Sequence, residues 1–252
     1  MRKKTYQSGF YDISEKVRSC ESRARQADKI AYILKTYGSI SLSSATCFDV
    51  GCSSGVITTG LALLFGTTIG LDYDEIALKH VTRITRQSPV FLRGDAMRLP
   101  LADNSVEVVL CAQVYEHVPS DVLMIREIYR ALKPGGIVFF SGPNKLFPIE
   151  PHYYLPFLHW LPPVWADRYL RILGRGSHYY ERSRTVWSLR NLLAKFTIQD
   201  VTPEVMRYSL QGGKLKGLAS LPLAVWRLLL PVLPNYNWIL RKPISSPSAL
   251  EA

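Results

Sequence analysis

One stretch, Phe48-Asp-Val-Gly-Cys-Ser-Ser-Gly-Val-Ile-Thr58, limits what this chain can become more than any other. An apolar run from Cys47 to Val50 carries a single acid, Asp49, and stops at Gly51. After Gly55 a second apolar run begins at Val56 and reads as a helix. Strand, glycine turn and helix in that order bring backbone close to a nucleotide-like ligand in α/β proteins. Gly51 can take a positive φ without a Cβ clash, and Gly55 lets the helix pack close to the strand or to a ligand. Taken alone, a glycine turn after a strand also serves purely structural ends.

The next strands repeat the theme. Thr67 to Leu71 ends in Asp72-Tyr73, Val90 to Leu92 leads into Gly94-Asp95-Ala96, and Val106 to Ala112 leads into Gln113-Val-Tyr-Glu-His-Val118. Ile137 to Phe140 follows the turn Lys133-Pro-Gly-Gly136. Apolar strands alternating with helical stretches from 46 to 140 predict an α/β fold, with a parallel sheet and right-handed crossovers. A ligand of such a sheet lies at the carboxyl ends of its strands. Asp49, Gly51, Gly55, Asp72, Asp95 and Gln113 all fall there. Each acid alone could be a helix cap or a turn residue; acids at consecutive strand ends point to a ligand.

Over roughly residues 45–145 these motifs resemble the class I S-adenosylmethionine (SAM)-dependent methyltransferase family. Asp49-Val-Gly-Cys-Ser-Ser-Gly55 is similar to its acidic glycine loop, and Gly70-Leu-Asp72 to its ribose-binding acid. Gly94-Asp95-Ala96 is similar to its adenine-side turn, and Leu132-Lys-Pro-Gly-Gly136 to the turn before its fifth strand. The resemblance implies a Rossmann-like, seven-stranded sheet with helices on both faces. It implies SAM as cofactor, with Asp49, Gly51, Cys52, Gly55, Asp72, Tyr73, Asp95, Ala96 and Gln113 around it. Ser53 departs from the pattern, standing where many members have a glycine. Nicotinamide dehydrogenases more usually show Gly-x-Gly-x-x-Gly, and no third glycine follows Gly55 at that spacing.

The 252 residues, 47% hydrophobic and 20% charged, suffice for one large core. Residues 1–213 are expected to form the methyltransferase domain, with an N-terminal helical lid at 1–45 and an insertion at 146–183. Within the lid, Ser14 to Tyr37 reads as a helix stopped by Gly38, and Tyr6 and Tyr11 could cover the cofactor. Leu146 to Trp165 is rich in aromatic residues and prolines, and Ala166 to Leu173 reads as a short basic helix. Arg171-Ile-Leu-Gly-Arg-Gly-Ser-His-Tyr-Tyr180 and Tyr115-Glu-His-Val118 are similar to segments of the ubiquinone-biosynthesis O-methyltransferases, which implies a small hydrophobic or lipid-linked acceptor. Thr185 to Phe196 reads as a helix, and Ile198 to Val201 and Val205 to Leu210 as strands six and seven. Residues 214–252 form an apolar, basic tail. Its run from Leu218 to Leu233 is shorter than the ~20 residues of a membrane span. Basic residues flank it, and Trp226, Tyr236 and Trp238 suit an interfacial membrane contact. Packing on the protein's own sheet is the alternative.

The net charge of +11 is uneven: nine Lys/Arg against four Asp/Glu in 1–47, eight against ten in 48–140, and fourteen against six in 141–252. Basic flanks around a near-neutral core suit an anionic membrane surface or nucleic acid. No apolar segment of signal-peptide type follows Met1-Arg-Lys-Lys4, and Cys20, Cys47, Cys52 and Cys111 lack metal-finger spacing. Both features suggest a reducing, cytoplasmic setting, with peripheral association at the inner face of a membrane.

Methyl transfer from a sulfonium needs mainly an aligned acceptor and a dry site. A hydroxyl acceptor also benefits from losing its proton, and His117, just after strand four, suits a general base. It suits equally a histidine hydrogen-bonded to a helix start; His152 and His178 are weaker candidates. Ubiquinone-pathway methyltransferases use Glu-x-x-Glu-His to hold a divalent ion. Here Gln113 replaces the first Glu, leaving Glu116-His117, so no metal is expected. The leading reading is a SAM-dependent enzyme methylating an apolar or lipid-linked acceptor on oxygen. RNA methylation and a non-catalytic SAM-binding scaffold at a membrane are the alternatives, with nucleic acid the less favoured partner.

Overall fold

The computed structural model describes residue 6 and residues 19–81, 88–210 and 216–244. Helix α1 (Cys20–Tyr37) starts at Ser19, whose side chain accepts a hydrogen bond from the Ser22 N–H, and stops at Gly38. Its buried residues Ala27, Ile30, Ile33 and Leu34 recur at helical spacing and join a core layer with Cys47, Val108, Leu110 and Phe139. The part of the expected helix before Ser19, and Tyr11, lie outside the described residues.

From β1 (Thr46–Val50) the chain alternates: α2 (Val56–Leu61), β2 (Thr67–Asp72), α3 (Glu75–Lys79), β3 (Val90–Arg93), β4 (Val106–Ala112), α4 (Asp121–Ala131) and β5 (Leu132–Pro143). Local chemistry sets the helix starts. The Asp74 carboxylate accepts from the Ile76 and Ala77 N–H groups, and the Ser120 hydroxyl accepts from Leu123 N–H. The turn expected at 133–136 is an irregularity within β5, where Val106 faces Leu132 but Val108 already faces Ile137. The insertion holds a short hairpin, β6 (Ile149–Glu150) with β7 (Leu155–Pro156), and then α5 (Pro163–Ile172). It has a small core of its own in Leu155, Leu158, Ala166 and Leu170. Helix α6 (Val186–Leu192), capped by Thr185, leads to β8 (Thr197–Asp200), α7 (Thr202–Leu210), α8 (Leu223–Leu229) and β9 (Asn235–Arg241).

The seven strands lie in the order β3-β2-β1-β4-β5-β9-β8, with β9 antiparallel to both neighbours. The expected seven-stranded α/β architecture is therefore present, but two expectations about its last part are overturned. Residues 205–210, read as strand seven, belong to α7. Asp200 Oδ1 accepts from Thr202 N–H, and Pro203 and Glu204 occupy the first turn, all of which favour helix. Strand seven is β9, from the presumed tail, so a domain boundary after residue 213 would cut the sheet in two. Its register with β5 runs from Ile137 opposite Arg241 to Pro143 opposite Asn235.

Trp238, Tyr236 and Trp226 are buried and cannot anchor in a headgroup layer. Tyr236, Trp238 and Leu240 join the core layer of Val109, Cys111 and Phe140, while Ile239 joins the layer on the other face. Among the described residues no helix is long and apolar enough to cross a membrane.

Candidate active site

The carboxyl ends of β1, β2 and β4 open into a cavity of about 960 Å³. Gly51, Ser53, Asp72, Tyr73, Ala96 and Gln113 line one part of it, and His117, His152, Tyr153 and Tyr180 another.

The glycine loop is held by backbone bonds: the N–H groups of Gly51 and Cys52 both donate to Leu71 O, at 2.8 and 3.1 Å. Gly51 has φ +74°, and a Cβ there would lie 2.7 Å from a methyl of Val114. Gly55 has φ +71°, and its Cβ would lie 2.6 Å from the Phe91 ring. At both places conformation and space exclude any other residue without rearrangement. Ser53 also has a positive φ, of 52°, which accounts for the glycine that the pattern favours at this position.

Asp72 is fixed by the loop. Its Oδ2 accepts from Ser53 N–H at 2.6 Å and its Oδ1 from Asp74 N–H at 2.8 Å. Burial pushes its pKa upward, and those two bonds oppose the shift. Tyr73 stacks on Tyr6, with ring centroids 4.2 Å apart and planes 12° from parallel. The Tyr6 hydroxyl donates to Asp95 Oδ1 at 2.7 Å. Tyr6 thus lies at the cavity, beside the residues expected to hold the cofactor.

Four of the expected cofactor residues do not line the cavity. Asp49 is buried behind the loop, where its Oδ2 accepts from the Thr58 hydroxyl at 2.6 Å; burial raises its pKa to about 7. Cys52 is packed against Gly70, and burial drives its thiol well above the ordinary value. Gly55 is spent on Phe91. Asp95 accepts from Tyr6 and from Met97 N–H, while its neighbour Ala96 reaches the cavity. Gln113 lines the cavity, but its Nε2 donates to Ser141 Oγ at 3.1 Å and Asn235 Oδ1 at 3.4 Å, tying β4 to β5 and β9.

On the other side, the insertion supplies residues that a linear reading separates. Arg182 N–H donates to Glu116 O at 3.0 Å, which lays the segment of Glu181 along Glu116-His117. Arg184 pairs with Asp121 through two bonds of 2.5 and 2.9 Å and fixes that segment to α4. In the β6–β7 hairpin the Glu150 Oε2 accepts from the N–H groups of His152 and Tyr153 at 2.8 and 2.7 Å, presenting His152. The carboxylates Glu116, Glu150 and Glu181 are all buried. Burial favours a neutral His152, but the bond to Glu150 and the charges of Glu150, Glu181 and Glu116 outweigh it and raise its pKa. Burial raises that of Glu181.

Glu116, His117 and His152 offer ligand atoms within 4.8 Å of one another, so a cation-capable group exists where none was expected. By sequence spacing alone His152 ranks below His117, and nothing local marks Glu181. One signal was available: Glu150 is the single acid between Leu146 and Trp165.

A sheet of this order, with a glycine turn after its first strand and an acid at the end of its second, is the Rossmann-like sheet of the SAM-dependent methyltransferase fold. Residues 48–140 match the family model described as a methyltransferase domain, for which SAM is the methyl donor. Among curated relatives, a "Ubiquinone biosynthesis O-methyltransferase" of Pseudomonas putida is 32% identical over 148 residues, covering 57% of this chain and 60% of that protein. One of the same description from Bordetella bronchiseptica is 31% identical over 159 residues, 61% of each. The match thus spans about three fifths of the length of these relatives. Among solved structures, an S-adenosylmethionine-dependent methyltransferase from Mesorhizobium loti aligns with a TM-score of 0.60, at 18% identity, over 88% of this chain and 100% of that one. The [4+2]-cyclase SpnF aligns with a TM-score of 0.57, at 18% identity, over 89% and 82%. At such identities the structural likeness concerns the fold.

Proposed function

We propose that this protein transfers the methyl group of SAM to a hydroxyl of an apolar, lipid-linked acceptor. One observation carries the reading: a single cavity joins the glycine loop and Asp72 at one side to His117 and the insertion's aromatic residues at the other. A donor held by the loop would present its sulfonium toward the acceptor side, as an in-line transfer requires. Asp72 holds the ribose, Gly51 and Ser53 the amino-acid part, and Ala96 with Tyr73 the adenine side. In the protein without bound metal, His117 takes the acceptor's proton.

Tyr153, Tyr154 and Tyr180 line the acceptor side and suit a ring or prenyl-like chain better than a charged one. The description of the curated relatives points the same way. The rim of the insertion bears exposed Val164, Trp165 and Ile172 beside Arg168, Arg171 and Arg175. These suit a reversible stay on an anionic membrane where such an acceptor resides.

The test uses SAM labelled in its methyl group and lipid extracts from cells lacking the protein. Label is expected in one lipid-soluble product, in a base-stable methyl ether. His117→Ala should lower the maximal rate ~10²–10⁴-fold with SAM affinity unchanged. SAM binding without a labelled product in any extract would return the chain to the scaffold reading.

A further inference from the structure

Both histidines at the acceptor side are arranged alike. His117 Nε2 lies 3.8 Å from Glu116 Oε1, and His152 Nε2 lies 3.9 Å from the same oxygen. Their other ring nitrogens face buried carboxylates: His152 Nδ1 is 2.7 Å from Glu150 Oε1, and His117 Nδ1 is 4.0 Å from Glu181 Oε1. The rings meet edge to face, with centroids 4.8 Å apart and planes at 84°. Histidines that ligate a metal characteristically direct the second nitrogen to a carboxylate, which sets tautomer and ring orientation. Independently, Glu181 Oε1 is buried and accepts no hydrogen bond among the described residues, although it is directed toward this group.

We propose that Glu116 and the Nε2 atoms of His117 and His152 form a binding site for one divalent transition-metal ion, with Glu150 and Glu181 as its outer carboxylates. The glutamate pattern known from ubiquinone-pathway methyltransferases is broken here at Gln113, whose amide is engaged by Ser141 and Asn235. The third ligand comes instead from the insertion, as a nitrogen. That exchange changes the preferred ion. Two imidazoles and one carboxylate suit Zn²⁺, Co²⁺ or Fe²⁺, whereas Mg²⁺ prefers an all-oxygen octahedron. An ion with bonds of about 2.1 Å needs donors about 3.0–3.4 Å apart, so small side-chain rotations close the present gaps. His117 and His152 both line the cavity, which leaves a coordination position facing the acceptor. A bound ion would polarise the acceptor oxygen and favour loss of its proton. In the loaded protein His117 is then a ligand and not the base. This inference rests on the acceptor-side reading for its purpose, but its measurement needs no acceptor.

The full-length chain is titrated with Zn²⁺ in a calorimeter and with Co²⁺ by visible absorption, at neutral pH without substrate. One equivalent of each ion is expected, with Co²⁺ bands characteristic of nitrogen and oxygen ligands. His152→Ala should weaken binding at least 100-fold, and Glu150→Gln by ~10–100-fold, the range for outer-shell partners. SAM affinity reports that each variant is folded. Wild-type protein that takes up neither ion overturns the proposal, as does His152→Ala that binds like wild type. If His152→Ala does not fold, unchanged affinity in Glu150→Gln overturns it. Mg²⁺ that displaces Zn²⁺ at equal concentration overturns the nitrogen-ligand assignment. Methyl transfer by a protein that binds no ion sinks this inference and leaves the proposed function standing.

Discussion

Asp72 is oriented before any ligand arrives, because Ser53 and Asp74 N–H groups already hold its two oxygens. Asp72→Ala should therefore weaken SAM binding by roughly 1.5–3 kcal/mol, the range for hydrogen bonds to a charged group. Isothermal titration measures it; a folded variant with wild-type affinity would remove the ribose assignment. Asp49 makes a different prediction. Burial lifts its pKa from 3.8 to about 7, so between those values the folded protein keeps a proton that the unfolded chain has released. The stability this contributes is complete below the lower value, falls as pH rises through about 7, and is level above. From pH 5 to 8 the loss is about 2–3 kcal/mol. In Asp49→Asn that part of the pH dependence should vanish from denaturant unfolding curves. Parallel curves for variant and wild type would mean that Asp49 is not held protonated. At this scale the strand-end residues were readable, since a glycine at positive φ and an acid after a strand are local demands. His152, Glu150 and Glu181 were not, because their meaning is their distance from Glu116, across more than thirty residues of chain.

Among the elements, β9 separates local from non-local information most clearly. Its centre, Tyr-Asn-Trp-Ile-Leu, is buried on both faces, so it lacks the alternation that marks a half-exposed strand. With apolar residues and basic flanks it reads as well as a membrane-facing segment. Lys242 settles its end, donating from Nζ to Asn104 Oδ1, Tyr129 O and Leu132 O at 2.7–2.8 Å. Trp238→Ala should cost ~3–5 kcal/mol, as for other large buried aromatics, and lower the denaturant midpoint accordingly. Truncation after Gly213 removes the strand between β5 and β8 and should abolish cooperative unfolding along with SAM binding. A truncated chain that still binds SAM would show that the sheet closes without β9. For α7 the sequence did hold the signal: Asp200-Val-Thr-Pro-Glu204 is a helix start that outweighs the β-propensity of Val205 and Tyr208 after it.

Across the whole molecule, the basic excess of the C-terminal part divides between structural and surface roles. Lys242 is buried against Asn104 and two backbone carbonyls, and the half-exposed Arg184 is paired with Asp121. Arg168, Arg171 and Arg175 remain exposed around α5, with the Arg168 guanidinium 5.9 Å from the Trp165 ring. Charges near an anionic bilayer contribute ~1 kcal/mol each. Arg168→Glu with Arg171→Glu should therefore reduce co-sedimentation with anionic vesicles at least tenfold, with little effect on neutral vesicles. Equal binding of variant and wild type would take the membrane contact away from α5.

The sequence by itself determined the alternation from β1 to β5, the glycine turn that lines the cavity and the acid beyond it, because each depends on residues within a few positions of one another. Tertiary structure decided which segment became strand seven, which aromatic residues face water, and which side chains meet His117. Those outcomes depend on pairing across a hundred residues and on burial from two faces, and no local pattern encodes either.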